Sequence, residues 1–106
     1  MKVCIVGLGL IGGSYAKGLT KKGYEVYGVD KNLKTIEYAK ENGMIVDGYL
    51  DASCCLNFVD LVVICLYPND VIPFIKENLN HFKDGQVITD VCGVKTPICY
   101  EAAKLL

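Results

Sequence analysis

The segment Val3-Cys4-Ile5-Val6-Gly7-Leu8-Gly9-Leu10-Ile11-Gly12-Gly13-Ser14 constrains the chain more than any other. Its short, continuous apolar run lacks alternation, as expected of a strand covered on both faces. The run feeds Gly-x-Gly-x-x-Gly, and a helical pattern follows. This is the form of a strand, a tight turn and a helix N-terminus that receives a pyrophosphate. Gly7 permits the turn, Gly9 lets the backbone approach the pyrophosphate, and Gly12 lets the helix pack closely on the strand. The backbone N–H groups of Leu10 and Ile11 then point at the phosphates, reinforced by the helix dipole. Glycines also gather in turns that bind nothing, so the remaining residues have to support the reading.

Strand and helix patterns alternate along the chain. Residues 2–6 form the first strand. A helix from Leu10 carries Ile11, Tyr15 and Leu19 at spacings of four, with Gly12 and Ala16 as a neighbouring small stripe, and Lys21-Lys22-Gly23 stops it. Residues 25–30 form the second strand. Asn32 caps a helix running through Glu41 with Leu33, Ile36 and Ala39 inward, and Asn42-Gly43 ends it. Met44-Ile45-Val46 reads as a brief third strand, and residues 47–58 as a short helix with loops. Residues 60–66 are the clearest buried parallel strand. Pro68-Asn69-Asp70 opens the next helix, with Pro73 in its first turn and Ile72, Ile75, Leu79 and Phe82 on the buried side. Residues 86–91 make a fifth strand, and Thr96-Pro97 opens a last helix bearing Ile98, Ala102 and Leu105. Right-handed crossovers then give an α/β fold, a Rossmann-type doubly wound parallel sheet in three layers with strand order 3-2-1-4-5.

With 106 residues the chain is one domain, too short to add a substrate domain to a cofactor domain. It stops at Leu105-Leu106, two apolar residues on an unfinished helix. We therefore expect residues 1–106 to be the first domain of a longer protein. Net charge is -1 and all basic residues are Lys, so no basic field points to nucleic acid or an anionic membrane. No apolar run reaches membrane-spanning length. The six cysteines include no Cys-x-x-Cys, and the single His is remote from all of them. Cys4 and Cys65 sit in apolar runs as small hydrophobes. Neither a metal site nor a disulfide framework is expected, and a reducing cytoplasm fits best.

Asp30 lies eighteen residues past Gly12, at the end of the second strand. A carboxylate there accepts hydrogen bonds from ribose hydroxyls and repels a 2′-phosphate, which favours NAD over NADP. Lys31 offsets part of that repulsion. Capping the following helix is the alternative use of Asp30, and the two coexist. In an open α/β sheet the ligand lies at the carboxyl ends of the first and fourth strands. Leu66, Tyr67 and Pro68 are therefore further cofactor-side candidates. Tyr67 either lines the adenine or nicotinamide side or is a surface aromatic. The loop Val91-Cys92-Gly93-Val94-Lys95 lies nearby, where Lys95 can meet substrate charge. Cys92 lacks a local base for a nucleophilic role. His81, at a helix end, suits the helix dipole better than catalysis.

Taken together, Gly7-Leu8-Gly9-Leu10-Ile11-Gly12-Gly13-Ser14, Asp30, Asp60-Leu61-Val62-Val63-Ile64 with Pro68, and Thr89-Asp90-Val91-Cys92-Gly93-Val94-Lys95 resemble prephenate dehydrogenase and the related arogenate dehydrogenases. The resemblance runs over the whole chain but only over the nucleotide-binding half of that family. It implies NAD(P)-dependent oxidative decarboxylation of prephenate or arogenate in tyrosine biosynthesis. In that reaction hydride leaves the hydroxyl-bearing ring carbon, a His takes the hydroxyl proton or its hydrogen bond, and CO₂ departs as the ring aromatises. The family usually has Thr-Asp-Val-Gly-Ser-Val-Lys, with its Ser near the substrate hydroxyl. Gly93 stands at that Ser position here. The family's catalytic His, in a His-Pro motif, and its helical dimerisation domain fall beyond residue 106, and His81 does not match that His. The resemblance thus implies a full-length homodimer and a chain that, alone, binds NAD without turnover. Two rivals remain: another NAD(P)-dependent enzyme with a helical second domain, such as an imine reductase or β-hydroxyacid dehydrogenase, and a stand-alone nucleotide sensor.

Overall fold

The computed structural model describes residues 1–82 and 85–90. Strands β1 (Lys2–Val6), β2 (Glu25–Val29), β3 (Asp47–Tyr49), β4 (Leu61–Ile64) and β5 (Val87–Asp90) alternate with helices α1 (Leu10–Lys21), α2 (Leu33–Glu41) and α3 (Pro68–Glu77). Short 3₁₀ turns occupy Ala52–Cys54 and Leu79–His81. All four strand pairings are parallel, and the order is β3-β2-β1-β4-β5. This is the expected Rossmann-type sheet.

Alternate β1 residues enter opposite cores, which is why the strand reads as an unbroken apolar run. Val3 and Ile5 pack with Ala16, Ile36, Ala39 and Ile45, beneath α1 and α2. Cys4 and Val6 pack with Cys55, Leu56, Val59, Val71 and Ile75, beneath α3 and the first 3₁₀ turn. On α1 the small stripe faces the sheet: Ala16 is fully buried, whereas Ile11 and Tyr15 are exposed. Small residues let the helix axis approach the strands.

Several boundaries differ from the sequence expectation. The third strand is Asp47–Tyr49, not Met44–Val46. Gly43 has positive φ, and the 44–46 segment carries the chain from α2 to the sheet edge, burying Ile45 on the way. The ladder then starts at Tyr27↔Asp47. A Cβ at Gly48 would overlap Ile36 Cγ2, so this edge strand needs a glycine where the hydrophobic pattern calls for an apolar residue. Leu33 is exposed because it is the first residue of α2, still beyond the rim of the sheet. Pro73 lies at the sixth position of α3 rather than in its first turn, and so leaves the Asn69 carbonyl without an i→i+4 donor. Helix α3 buries Val71 and Ile75 and then stops at Glu77. The switch to a 3₁₀ turn breaks the 3.6-residue period, which leaves Leu79 exposed.

Residues 52–59 also hide core side chains. Cys55, Leu56 and Val59 are fully buried. The Cys55 Sγ lies 3.3 Å from the Cys4 Sγ, a thiol–thiol contact between residues distant in sequence. That hydrogen bond, with burial behind it, holds the Cys4 thiol well above the ordinary thiol range. The expected last helix from Thr96-Pro97 lies outside the described residues, as do Cys92, Gly93, Lys95 and Cys99.

Candidate functional site

The carboxyl ends of β1, β2 and β4 converge on the glycine loop. Gly7 has φ +92°, and a Cβ there would meet the Cys65 carbonyl oxygen at 2.6 Å. Its N–H donates to the Val29 carbonyl at 2.7 Å, tying the turn to β2. A Cβ on Gly12 would overlap the Gly7 carbonyl oxygen, so α1 can approach β1 this closely only with glycine there. Gly9 is different: nothing lies within 4 Å of where its Cβ would be. It is the N-cap of α1, no side chain caps this end, and no acidic residue occupies the first turn. The N–H groups of Leu10, Ile11 and Gly12 therefore have no side-chain cap, and the positive end of the helix dipole lies behind them. That arrangement suits an anion.

A cavity of about 470 Å³ extends from this loop between the strand ends and α3, within the usual ligand-site range of roughly 300–1,000 Å³. Val6, Gly7, Val29 and Leu66 line it near the sheet, and Leu50, Ala52, Pro73 and Phe74 add apolar walls farther out. Four carboxylates border it, those of Asp30, Asp51, Asp70 and Glu77. Lys31 is the one cation among the described lining residues. The lining therefore favours hydrogen-bond donors such as hydroxyl and amino groups, and disfavours a further phosphate.

Asp30 has two structural duties. Its Oδ2 accepts from the Leu8 N–H at 2.8 Å and its Oδ1 from the Asn32 N–H at 2.9 Å. The carboxylate pins the glycine loop from the end of β2, and its remaining lone pairs are free for a ligand. The cap of α2 is Asn32 itself, through its Oδ1 and the Lys34 N–H. Asp51 caps the following 3₁₀ turn through the Ser53 N–H at 2.9 Å. That bond, more than any other influence, holds its carboxyl below the usual Asp value.

The structure thus brings Gly7, Asp30, Lys31 and Leu66 together around one cavity, with Gly9, Leu10, Ile11 and Gly12 at the adjoining helix end. Pro68 opens α3 as its first residue. Tyr67 precedes it with its side chain 81% exposed and does not line the cavity. His81 is exposed at the end of its 3₁₀ turn, away from the cavity lining. Sequence reading missed Asp51, Asp70, Phe74, Glu77 and Asn78. The spacing 70, 73/74, 77/78 carries a helical signal for one face of α3, but the apolar period of the same helix marks its buried side instead. Asp51 follows the strand Asp47–Tyr49, which has no apolar signal of its own.

A family model described as prephenate dehydrogenase, nucleotide-binding domain, matches residues 15–106. The match begins after the glycine loop, so the geometry of that loop is a separate observation. Among solved structures, arogenate dehydrogenase of Synechocystis is 32% identical with a TM-score of 0.94, covering 99% of this chain and 37% of that one. Prephenate dehydrogenase of Aquifex aeolicus, in complex with hydroxyphenyl propionate and NAD⁺, is 28% identical with a TM-score of 0.91, covering 100% of this chain and 38% of that one. UDP-N-acetyl-D-mannosamine dehydrogenase of Methanococcus maripaludis is 41% identical over 46 residues, 43% of this chain and 11% of its own length. The chain spans little more than a third of the two solved dehydrogenases.

Proposed function

The chain belongs to the prephenate dehydrogenase nucleotide-binding domain family, and from that premise we propose that residues 1–106 form one domain whose cavity takes NAD in preference to NADP. The reading rests above all on the uncapped end of α1, which opens beside a cavity bordered by carboxylates. The glycine loop and the N–H groups of Leu10, Ile11 and Gly12 hold the pyrophosphate, for which the open space at Gly9 leaves room. Asp30 accepts from the adenosine ribose hydroxyls with the lone pairs its two backbone bonds leave over. Leu66 supplies an apolar wall, Tyr67 and Pro68 are the further cofactor-side residues of this reading, and Lys31 balances part of the acidic charge. When bound, NAD supplies the hydride acceptor.

The whole protein then carries out oxidative decarboxylation of prephenate to 4-hydroxyphenylpyruvate, in tyrosine biosynthesis in the cytoplasm. Lys95 meets substrate charge, and Gly93 leaves the family Ser's role to water or another group. The substrate domain, the general base and the homodimer interface belong to sequence beyond this chain, which alone is inactive. Arogenate is the second candidate substrate, supported by the likeness to the Synechocystis enzyme.

Calorimetry tests the cofactor reading. NAD binds more tightly than NADP, and Asp30→Ala narrows that gap. The variant also weakens both ligands, because the Leu8 and Asn32 N–H groups lose their acceptor. Equal affinities in the unmodified chain contradict the role given to Asp30. Sustained NADH formation by residues 1–106 with prephenate and NAD contradicts the division of labour.

A further inference from the structure

Asn78 is the buried polar side chain of the described core, 7% exposed, and it lines the cavity. Its Nδ2 donates to the Phe74 carbonyl at 2.9 Å, while its backbone N–H closes the last turn of α3 on Phe74 and Ile75. A carbonyl only accepts, so the amide atom facing Phe74 has to be the NH₂ group, and chemistry fixes the amide orientation. That leaves Oδ1, an acceptor with two lone pairs, without a hydrogen-bond partner among the described residues. Pro73 and Phe74 flank it with apolar surface, and Asp51, Asp70 and Glu77 make the local potential negative.

We propose that Asn78 reads the purine: its Oδ1 accepts a hydrogen bond from the 6-amino group of adenine and thereby selects adenine over 6-oxopurine dinucleotides. The proposal rests on the dinucleotide reading above and deepens it. An adenine amine offers a donor at carbon 6, whereas hypoxanthine places there a carbonyl oxygen that Asn78 Oδ1 repels, its own donor, the N1–H, lying one ring atom away.

The test titrates the protein with NAD and with nicotinamide hypoxanthine dinucleotide, which differ at purine carbon 6 and in the N1 proton that accompanies the 6-oxo group. The unmodified protein binds NAD about tenfold more tightly, the ratio one neutral hydrogen bond supports. Asn78→Leu keeps the volume and removes Oδ1, and the ratio falls to within about twofold of unity through loss of NAD affinity. Asn78→Ser gives the same result while retaining a hydroxyl donor for the Phe74 carbonyl. A purely structural role in closing α3 weakens both ligands together and leaves their ratio untouched. Equal binding of the two dinucleotides by the unmodified protein, or a ratio that survives both substitutions, overturns the proposal while the NAD reading stands. Failure of the unmodified protein to bind either one overturns both.

Discussion

Helices α1 and α2 both follow a parallel strand of the same sheet, pack on the same face, and begin at the strands' carboxyl ends, yet their N-termini are finished in opposite ways. At α2 the chain closes its own end. Asn32 Oδ1 takes the Lys34 N–H at 2.9 Å, and the Asn32 carbonyl takes those of Thr35 and Ile36. At α1 the corresponding residue is Gly9, which has no side chain to offer, and no acidic residue stands in the first turn. A capping side chain at such a position typically contributes about 1 kcal/mol. Neither cap residue lines the cavity itself, but the chain forgoes that contribution at the glycine loop and takes it at α2. What is missing from α1 locally is what an external anion would supply.

The largest effect on this contrast comes from pushing α1 off its strand. A Cβ at position 12 overlaps the Gly7 carbonyl oxygen, so Gly12→Ala has to displace either the turn or the helix. Both obstacles are backbone, which yields poorly. The expected cost is about 3 kcal/mol of stability, at the upper end for overpacking, with NAD affinity reduced about a hundredfold as the loop N–H groups lose alignment. Thermal melts and calorimetry on the same samples measure the two effects. A stable variant that binds NAD normally would sink the close-packing role of Gly12.

Why much of this was legible in the sequence, and some of it was not, follows from the same physics. Strands β1 and β4 are covered on both faces, so they announce themselves as short apolar runs. Gly23 and Gly43 punctuate the helices with positive φ. Edge strand β3 is covered less well, and its Asp47-Gly48-Tyr49 carries no hydrophobic period, so the apolar residues just before it give the stronger strand signal. Cys4 and Cys55 meet only because residues 52–59 fold under the sheet, and no local pattern encodes that contact. The site divides likewise. Its glycine loop and Asp30 are local signals, whereas Asp51, Glu77 and Asn78 reach the cavity through tertiary packing.

A sharper comparison exchanges the two finishes. Gly9→Asp places a capping carboxylate where nothing stands within 4 Å, at a φ of -70° that any residue adopts. Stability should rise by about 0.5 kcal/mol from the cap and the helix dipole together. NAD affinity should fall about thirtyfold, because the new carboxylate occupies the N–H groups and repels a pyrophosphate. Asn32→Ala is the mirror experiment. It should lower stability by about 1 kcal/mol and leave the NAD dissociation constant within about twofold. The backbone N–H of residue 32, which bonds Asp30, is retained. Parallel changes of stability and affinity in both variants would mean that the two helix ends do not differ in function.

The smallest effect concerns a third closed end, which unlike Asn32 can titrate. Asp51 accepts from the Ser53 N–H, its strongest influence, and then from the Ser53 hydroxyl, with the charge of His81 acting in the same sense. Its folded pKa therefore lies below that of an ordinary Asp despite a small opposing contribution from burial. A depressed folded pKa means that ionised Asp51 stabilises the fold above the unfolded value, and that this contribution disappears as pH falls through the folded value. Asp51→Asn keeps the cap and removes the charge. The stability difference between the two proteins should be constant at neutral pH and shrink below about pH 4. Carboxyl chemical shifts followed by NMR give the site directly: an Asp51 midpoint at or above 3.8 contradicts the capping geometry. The uncapped end of α1 has no side-chain acceptor to titrate, so Gly9→Asp should create there the same acid-sensitive increment that Asp51→Asn removes here.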